Sequence, residues 1–215
     1  MALPSAAAAQ VPAEDLARQY TQIQGEIHAS IDRVLPSGKY TLGPVLEEFE
    51  CQYAAYCGVT YAIGISSGTA ALQLALAAMG VGPGDEVITQ ANTYVATAFA
   101  ITYLGAKPVF VDVDPVHANL DVGALESRIT PRTKVIIPVH MYGHPVDMDP
   151  LRQVADRHGL KVLEDASHAH GALYKGRRAG SLGDAAAFSF YPSKVLGAYG
   201  DAGGIVTSDP ALERK

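Results

Sequence analysis

The stretch "AFSFYPSKVLGAYGDAGG" (187–204) sets Lys194 after a short apolar run and ahead of Gly197, Gly200, Gly203 and Gly204. Lysine is ordinarily a solvated surface residue. Where it loses water at the end of a strand its pKa falls, which raises the fraction able to attack a carbonyl. Asp165, in "EDASHAHGA" (164–172), ends another apolar run. A buried aspartate is costly without a partner for its charge, and its plainer role is to cap the following turn. His168 and His170 alternate along the same segment and need not face the same way. The run Ser66-Ser67-Gly68-Thr69 opens directly into a helical pattern. Free N–H groups at a helix start, with glycine allowing close approach and hydroxyls adding donors, can hold an anion; the plainer reading is an ordinary N-cap. Tyr94 stands at a strand-to-helix junction, where an aromatic either packs or offers a stacking face to a flat ligand.

The elements that must position these residues alternate regularly. Apolar residues at three- and four-residue steps predict helices over 13–34, 45–56, 67–80, 93–105 and 148–158, and the turn-rich "PSGKYTLGP" (36–44) separates the first two. Short apolar runs predict strands over 61–66, 85–89, 107–114, 133–139, 160–165 and 185–190, with a last strand in "GGIVTSDPALERK" before a turn and a helix start. Strands alternating with helices imply βαβ units: an α/β fold with a mostly parallel central sheet covered on both faces, a three-layer α/β/α arrangement. Ligands of such sheets bind beyond the carboxyl ends of the strands. That rule brings Lys194, Asp165, Tyr94 and the 66–69 turn to one rim. An amine nucleophile, a carboxylate, an aromatic face and an anion site together match the needs of pyridoxal phosphate.

Other chemistries fit less well. With 215 residues, 48% hydrophobic and 18% charged, the chain is globular in profile. A net charge of −6 without a Lys/Arg stripe argues against nucleic acid, and no run of eighteen apolar residues is present to span a membrane. Cys51 and Cys57 lie about 240° apart around a predicted helix, so they form neither a disulfide nor a metal pair, and free thiols point to a cytoplasmic protein. His140 and His144 have the spacing of a helical zinc pair, but Pro138, Gly143 and Pro145 oppose a helix there, and no metal is expected. No G-x-S-x-G elbow follows a strand, which leaves Ser/His/Asp hydrolysis without support.

The phrases "GKYTLGPVLEEFE", "SSGTAALQLAL", "GPGDEVIT", "GAKPVFVDVDP", "IIPVHMYGHPVDMD", "EDASHAHGA" and "GSLGDAAAFSFYPSKVLGAYGDAGGIVT" resemble, in order, the DegT/DnrJ/EryC1/StrS family of pyridoxal-phosphate-dependent sugar aminotransferases of fold type I. The resemblance runs from about Val11 to the last residue and implies the following roles. Lys194 is the lysine that forms a Schiff base with the cofactor and shuttles the proton. Asp165 pairs with the ring nitrogen, Tyr94 stacks on the ring, and Gly68, Thr69 and Ser189 hold the phosphate. His168 falls where many members carry glutamine against the phenolic oxygen, a departure that places a group titrating near neutrality beside the cofactor. The implied reaction moves an amino group from an amino acid, glutamate first, to a nucleotide-linked keto-sugar, and "SGKYTLGP" points to C-3 of a 3-keto-6-deoxyhexose. The implied assembly is a homodimer with shared active sites. A sugar 3-dehydratase on the same fold carries histidine in place of the Schiff-base lysine, so Lys194 speaks against it. A non-catalytic regulator is the remaining alternative. Residues 1–10 are expected to be a mobile tail and 11–215 the large cofactor domain with its N-terminal helices; the smaller C-terminal domain of the family is expected to be missing.

Overall fold

The computed structural model describes residues 12–215; the expected tail, 1–10, lies outside them. In chain order the elements are α1 (Leu16–Val34), α2 (Pro44–Cys57), β1 (Tyr61–Ile65), α3 (Gly68–Ala78), β2 (Glu86–Gln90), α4 (Val95–Thr102), β3 (Lys107–Val111), α5 (Val122–Leu125), β4 (Thr133–Ile137), α6 (Met148–His158), β5 (Lys161–Asp165), β6 (Leu173–Tyr174), β7 (Arg177–Arg178), β8 (Ala185–Ser189), β9 (Gly203–Thr207) and α7 (Pro210–Glu213). They divide into two compact units, one up to Thr41 and one over Leu42–Lys215. The first holds α1, which starts where the Asp15 carboxylate accepts from the Arg18 amide at 2.9 Å and which buries none of its residues.

The second unit is built on a seven-stranded sheet in the order β1-β9-β8-β5-β4-β2-β3. The run β8, β5, β4, β2, β3 is parallel, and β9 alone runs antiparallel to both its neighbours. All strands but β9 therefore end at the same rim. Successive residues of the central strands bury on opposite faces, the consequence of a period of two. Val87, Val135, Leu163 and Ala187 pack with Leu72 and Leu76 of α3 and Ile101 of α4. Ile88, Ile136 and Val162 pack with Leu151 and Ala155 of α6 on the other side. Burying one such leucine is worth about 1.5–3 kcal/mol. A third cluster joins Tyr53 and Cys57 of α2 to Phe188, Phe190 and Val206. The result is the expected three-layer α/β fold with a mostly parallel sheet.

Local differences from the sequence reading have local causes. Strand β3 stops at Val111, short of 114, because Asp112 and Asp114 turn the chain by accepting from the amides of Val113 (2.8 Å), Val116 (3.1 Å) and His117 (2.9 Å). Helix α4 occupies Val95–Thr102 within the expected 93–105, and Gly105 (φ +72°) closes the turn behind it. The β6–β7 hairpin carries no sequence signal because Lys175 (φ +49°), rather than asparagine or glycine, takes the first left-handed position ahead of Gly176 (φ +81°). Cys51 is exposed and Cys57 buried, and neither is bonded to the other.

Candidate active site

The rim where the parallel strands end encloses a cavity of about 450 Å³. Its wall brings together all the residues given a cofactor role: Gly68, Thr69, Tyr94, Asp165, His168, Ser189 and Lys194.

Pairing fixes the floor of the site. Gly203, the first residue of β9, lies opposite both Ile65 of β1 and Ser189 of β8. The start of α3 is thereby pressed against the end of β8. A Cβ placed on Gly68 would fall 2.7 Å from the Ser189 Cβ, and one on Gly203 would run into the Ser67 backbone. Glycine is required at both positions by close approach, not by dihedral angle. Ser67 is the N-cap of α3, its hydroxyl accepting from the Ala70 amide at 3.1 Å. The first-turn amides of Gly68 and Thr69 have no acceptor within the helix and sit at its positive end, beside Ser189. The cap and the anion site coexist, one served by Ser67 and the other left to the residues after it.

Asp165, the last residue of β5, is 5% exposed. Its Oδ2 accepts from the Thr97 hydroxyl at 2.8 Å and its Oδ1 from the Ser167 amide at 3.2 Å. The backbone is held as tightly, since the His140 amide donates to the Asp165 carbonyl at 3.1 Å and the Asp165 amide to the Pro138 carbonyl at 2.9 Å. Tyr94, the residue before α4, is 72% exposed and lines the cavity instead of packing in the core. Lys194 follows β8 by five residues and is half-buried, its amide donating to the Tyr191 carbonyl at 2.8 Å. Gly197 is needed beyond it, because a side chain there would strike Pro192.

The histidines separate. His168 is half-buried on the cavity wall, and its pKa is lowered by loss of solvent and then by the Lys194 charge, with Asp165 opposing. His170 points the other way, into the aromatic cluster. Its Nε2–H donates to the Ser189 carbonyl at 2.9 Å, and Nδ1 is bonded to the Tyr53 hydroxyl at 2.9 Å. Burial lowers its pKa also and raises that of the Tyr53 phenol, so both stay neutral near pH 7 and the bond from α2 to β8 is kept. His140 is a core residue. The Val146 amide donates to its Nδ1 at 3.2 Å, so its proton is on Nε2 and goes to Glu164 at 2.9 Å. Glu164 also accepts from the amides of Gly180 (2.8 Å), Leu182 (2.7 Å) and Gly183 (2.7 Å), which ties the loop before β8 to β5. His144 is bonded to Asn119 through Nδ1 at 3.1 Å, and no group of metal-ligating side chains occurs among the described residues.

The sequence reading missed Thr97. Thr97 lies one helical turn after Tyr94, and a polar residue at that step, between Ala96 and Ala98, was the available signal.

Comparison with known proteins bears on the family and the fold. The model of the DegT/DnrJ/EryC1/StrS aminotransferase family matches residues 21–215. The dTDP-3-amino-3,4,6-trideoxy-alpha-D-glucose transaminase of Streptomyces venezuelae is 53% identical over 205 residues, covering 95% of this chain and 54% of that protein. The crystal structure of S. venezuelae DesV in complex with a ketimine intermediate aligns with a TM-score of 0.93 at 54% identity, over 95% of this chain and 55% of that one. NtdA from Bacillus subtilis, solved with bound cofactor PMP, aligns with a TM-score of 0.90 at 39% identity, over 98% of this chain and 48% of that one. The chain thus spans about half the length of the curated relatives it matches.

Proposed function

The chain belongs to the DegT/DnrJ/EryC1/StrS aminotransferase family, and on that premise we propose that it serves a pyridoxal-phosphate-dependent transfer of an amino group from an amino acid to a nucleotide-linked keto-sugar. The carrying observation is the convergence of Lys194, Asp165, Tyr94 and the α3 start on one cavity. Residues Leu42–Lys215 are the cofactor-binding unit in this reading.

The residues present fit the cofactor. Gly68 and Thr69, in the first turn of α3, and Ser189 line the cavity together, a donor set suited to a phosphate dianion. Asp165 has two of its roughly four lone-pair positions filled, leaving acceptor capacity toward the cavity for a ring N–H. When bound, pyridoxal phosphate supplies an aldehyde that amines condense with and a ring that accepts electrons. Gly68, Thr69 and Ser189 would hold its phosphate, Asp165 its ring nitrogen and Tyr94 one face of its ring. The neutral His168 imidazole would donate one N–H to the phenolic oxygen. Lys194 Nζ would bind the aldehyde carbon with loss of water and, once released by the incoming amine, take the proton from the donor's Cα and return it to the carbon that had been the cofactor's aldehyde.

Glutamate is the donor in this reading, and C-3 of a 6-deoxyhexose the acceptor carbon, supported by the 3-amino product in the name of the S. venezuelae relative. A homodimer with shared sites is supported by Val95 and Phe99 on α4 and Tyr103 directly after it, large side chains left exposed. A cytoplasmic setting goes with the two free thiols; among the described residues no helix is long and apolar enough to cross a membrane.

Addition of pyridoxal phosphate tests the reading. The protein is expected to develop a visible absorption band that borohydride bleaches, that Lys194→Ala abolishes and that glutamate discharges. A panel of nucleotide-linked keto-sugars, read by mass and NMR at the aminated carbon, then identifies the acceptor. A band that survives Lys194→Ala would remove the central role given to that lysine.

A further inference from the structure

Thr97 is 1% exposed and lies on the first turn of α4, three residues after Tyr94. Its hydroxyl donates to Asp165 Oδ2 at 2.8 Å, and its oxygen is 2.8 Å from the Thr93 hydroxyl. An ionised carboxylate only accepts, so the single Thr97 proton is committed to Asp165. The Thr97 oxygen is then the acceptor of the second bond, and Thr93 is its donor. The two hydroxyls form a one-way chain, Thr93 to Thr97 to Asp165, with its positive end on the carboxylate. The start of α4, where backbone amides carry the helix's partial positive charge, lies on the same side.

We propose that Thr97, oriented by Thr93, is the positioning residue that holds Asp165 aimed into the cavity, so that the strength with which Asp165 grips the cofactor ring is set from α4. The inference rests on the cofactor reading above. Three observations carry it beyond ordinary packing. The bond is short and fully buried, where losing a donor to a charged group is costly. The Thr97 hydroxyl is itself oriented, which a merely space-filling threonine does not need. The same helical turn also presents Tyr94, so the ring's face and the ring's nitrogen are positioned by one rigid piece of backbone.

The test uses Thr97→Val, which keeps shape and removes the donor, Thr97→Ser, which keeps the donor, and Thr93→Val, which removes only the outer hydroxyl. Pyridoxal phosphate is titrated into each, and the visible band is followed against pH. Thr97→Val is expected to raise the cofactor Kd about tenfold, and the pH midpoint of the band to move upward. A loosely held carboxylate leaves less positive charge on the ring, and the neighbouring proton is then held more tightly. Thr97→Ser restores both values, and Thr93→Val raises Kd by about threefold. Should Thr97→Val fail to fold by circular dichroism, Thr97→Ser and Thr93→Val decide the matter alone. Parental Kd and midpoint in Thr97→Val, or in Thr93→Val when Thr97→Val does not fold, would overturn the proposal while leaving the cofactor reading intact. So would a Thr97→Ser protein as impaired as Thr97→Val. A parent protein that gives no band overturns both.

Discussion

His168 shows how one side chain carries both a stability term and a chemical one. Its ring is half-withdrawn from water and faces Lys194, and both effects lower its pKa, while Asp165 only partly offsets them. The folded value is thus below the unfolded one. The contribution of the neutral ring is whole above about pH 6.5 and is lost as pH falls through the folded pKa, because the unfolded chain takes up the proton first. His170, lowered in the same direction by burial, adds to the same acid-side loss. Replacing His168 by glutamine removes one of the two terms and keeps an N–H donor. The difference in melting temperature between about pH 7 and pH 5 should therefore be smaller in His168→Gln than in the parent. Equal slopes in the two proteins would mean that the ring is not withdrawn enough for its titration to matter. The imidazole has a further consequence in the proposed reaction. His168→Gln should leave cofactor binding near the parental value at neutral pH and flatten its decline on acidification, as a fluorescence titration at several pH values would show.

At the scale of elements, the site depends on two close approaches with different tolerances. Gly203 of β9 abuts the Ser67 backbone at the start of α3, where nothing can give way. A methyl at Gly64 of β1 would meet the Leu46 Cδ1 at 2.7 Å, the far end of a side chain that can change rotamer. Overpacking commonly costs about 1–3 kcal/mol and more where backbone must move. Gly203→Ala is expected to lose about 3 kcal/mol or more in urea unfolding and Gly64→Ala about 1 kcal/mol. Comparable losses at the two positions would argue that β9 can slide away from α3. Ser67→Ala removes the N-cap and should cost about 1 kcal/mol without moving Ser189. These elements were legible in the sequence to different degrees. A strand buried on both faces, such as β8 with Ala185, Ala186, Ala187 and Phe188, stands out as an apolar run, and the carboxyl-end rule then places Asp165, Tyr94 and Lys194 at one rim. The contact between Gly203 and Ser67 depends on β9 inserting between β1 and β8, and pairing at a separation of more than 130 residues leaves no local pattern. Thr97 stayed hidden for the same reason, since its partner Asp165 is 68 residues away. The β6–β7 hairpin was missed because its turn uses a lysine in the left-handed region.

Over the whole of Leu42–Lys215, the cavity draws its wall from segments that the chain separates widely and only the sheet brings together. Residues after β1, before α4, after β5 and after β8 meet there, and β9 bonds the first of these to the last. A ligand touching all of them binds only the folded sheet. Free cofactor at a hundredfold excess over its Kd should then add about 2.7 kcal/mol to global unfolding. The gain should appear as one cooperative shift, because no single crossover can open without releasing the ligand. Hydrogen exchange distinguishes this from local ordering of the lysine loop. With pyridoxal phosphate added, the amides of residues 67–70, 95–97, 166–168 and 193–195 are expected to slow together, and by the same factor where they exchange through global unfolding. Asp165→Ala should abolish the common shift even though the substitution adjoins only one of the four segments. Protection confined to 193–195 would mean that the cofactor is tethered by Lys194 without being gripped by the sheet, and the reading of the rim as a single site would fall.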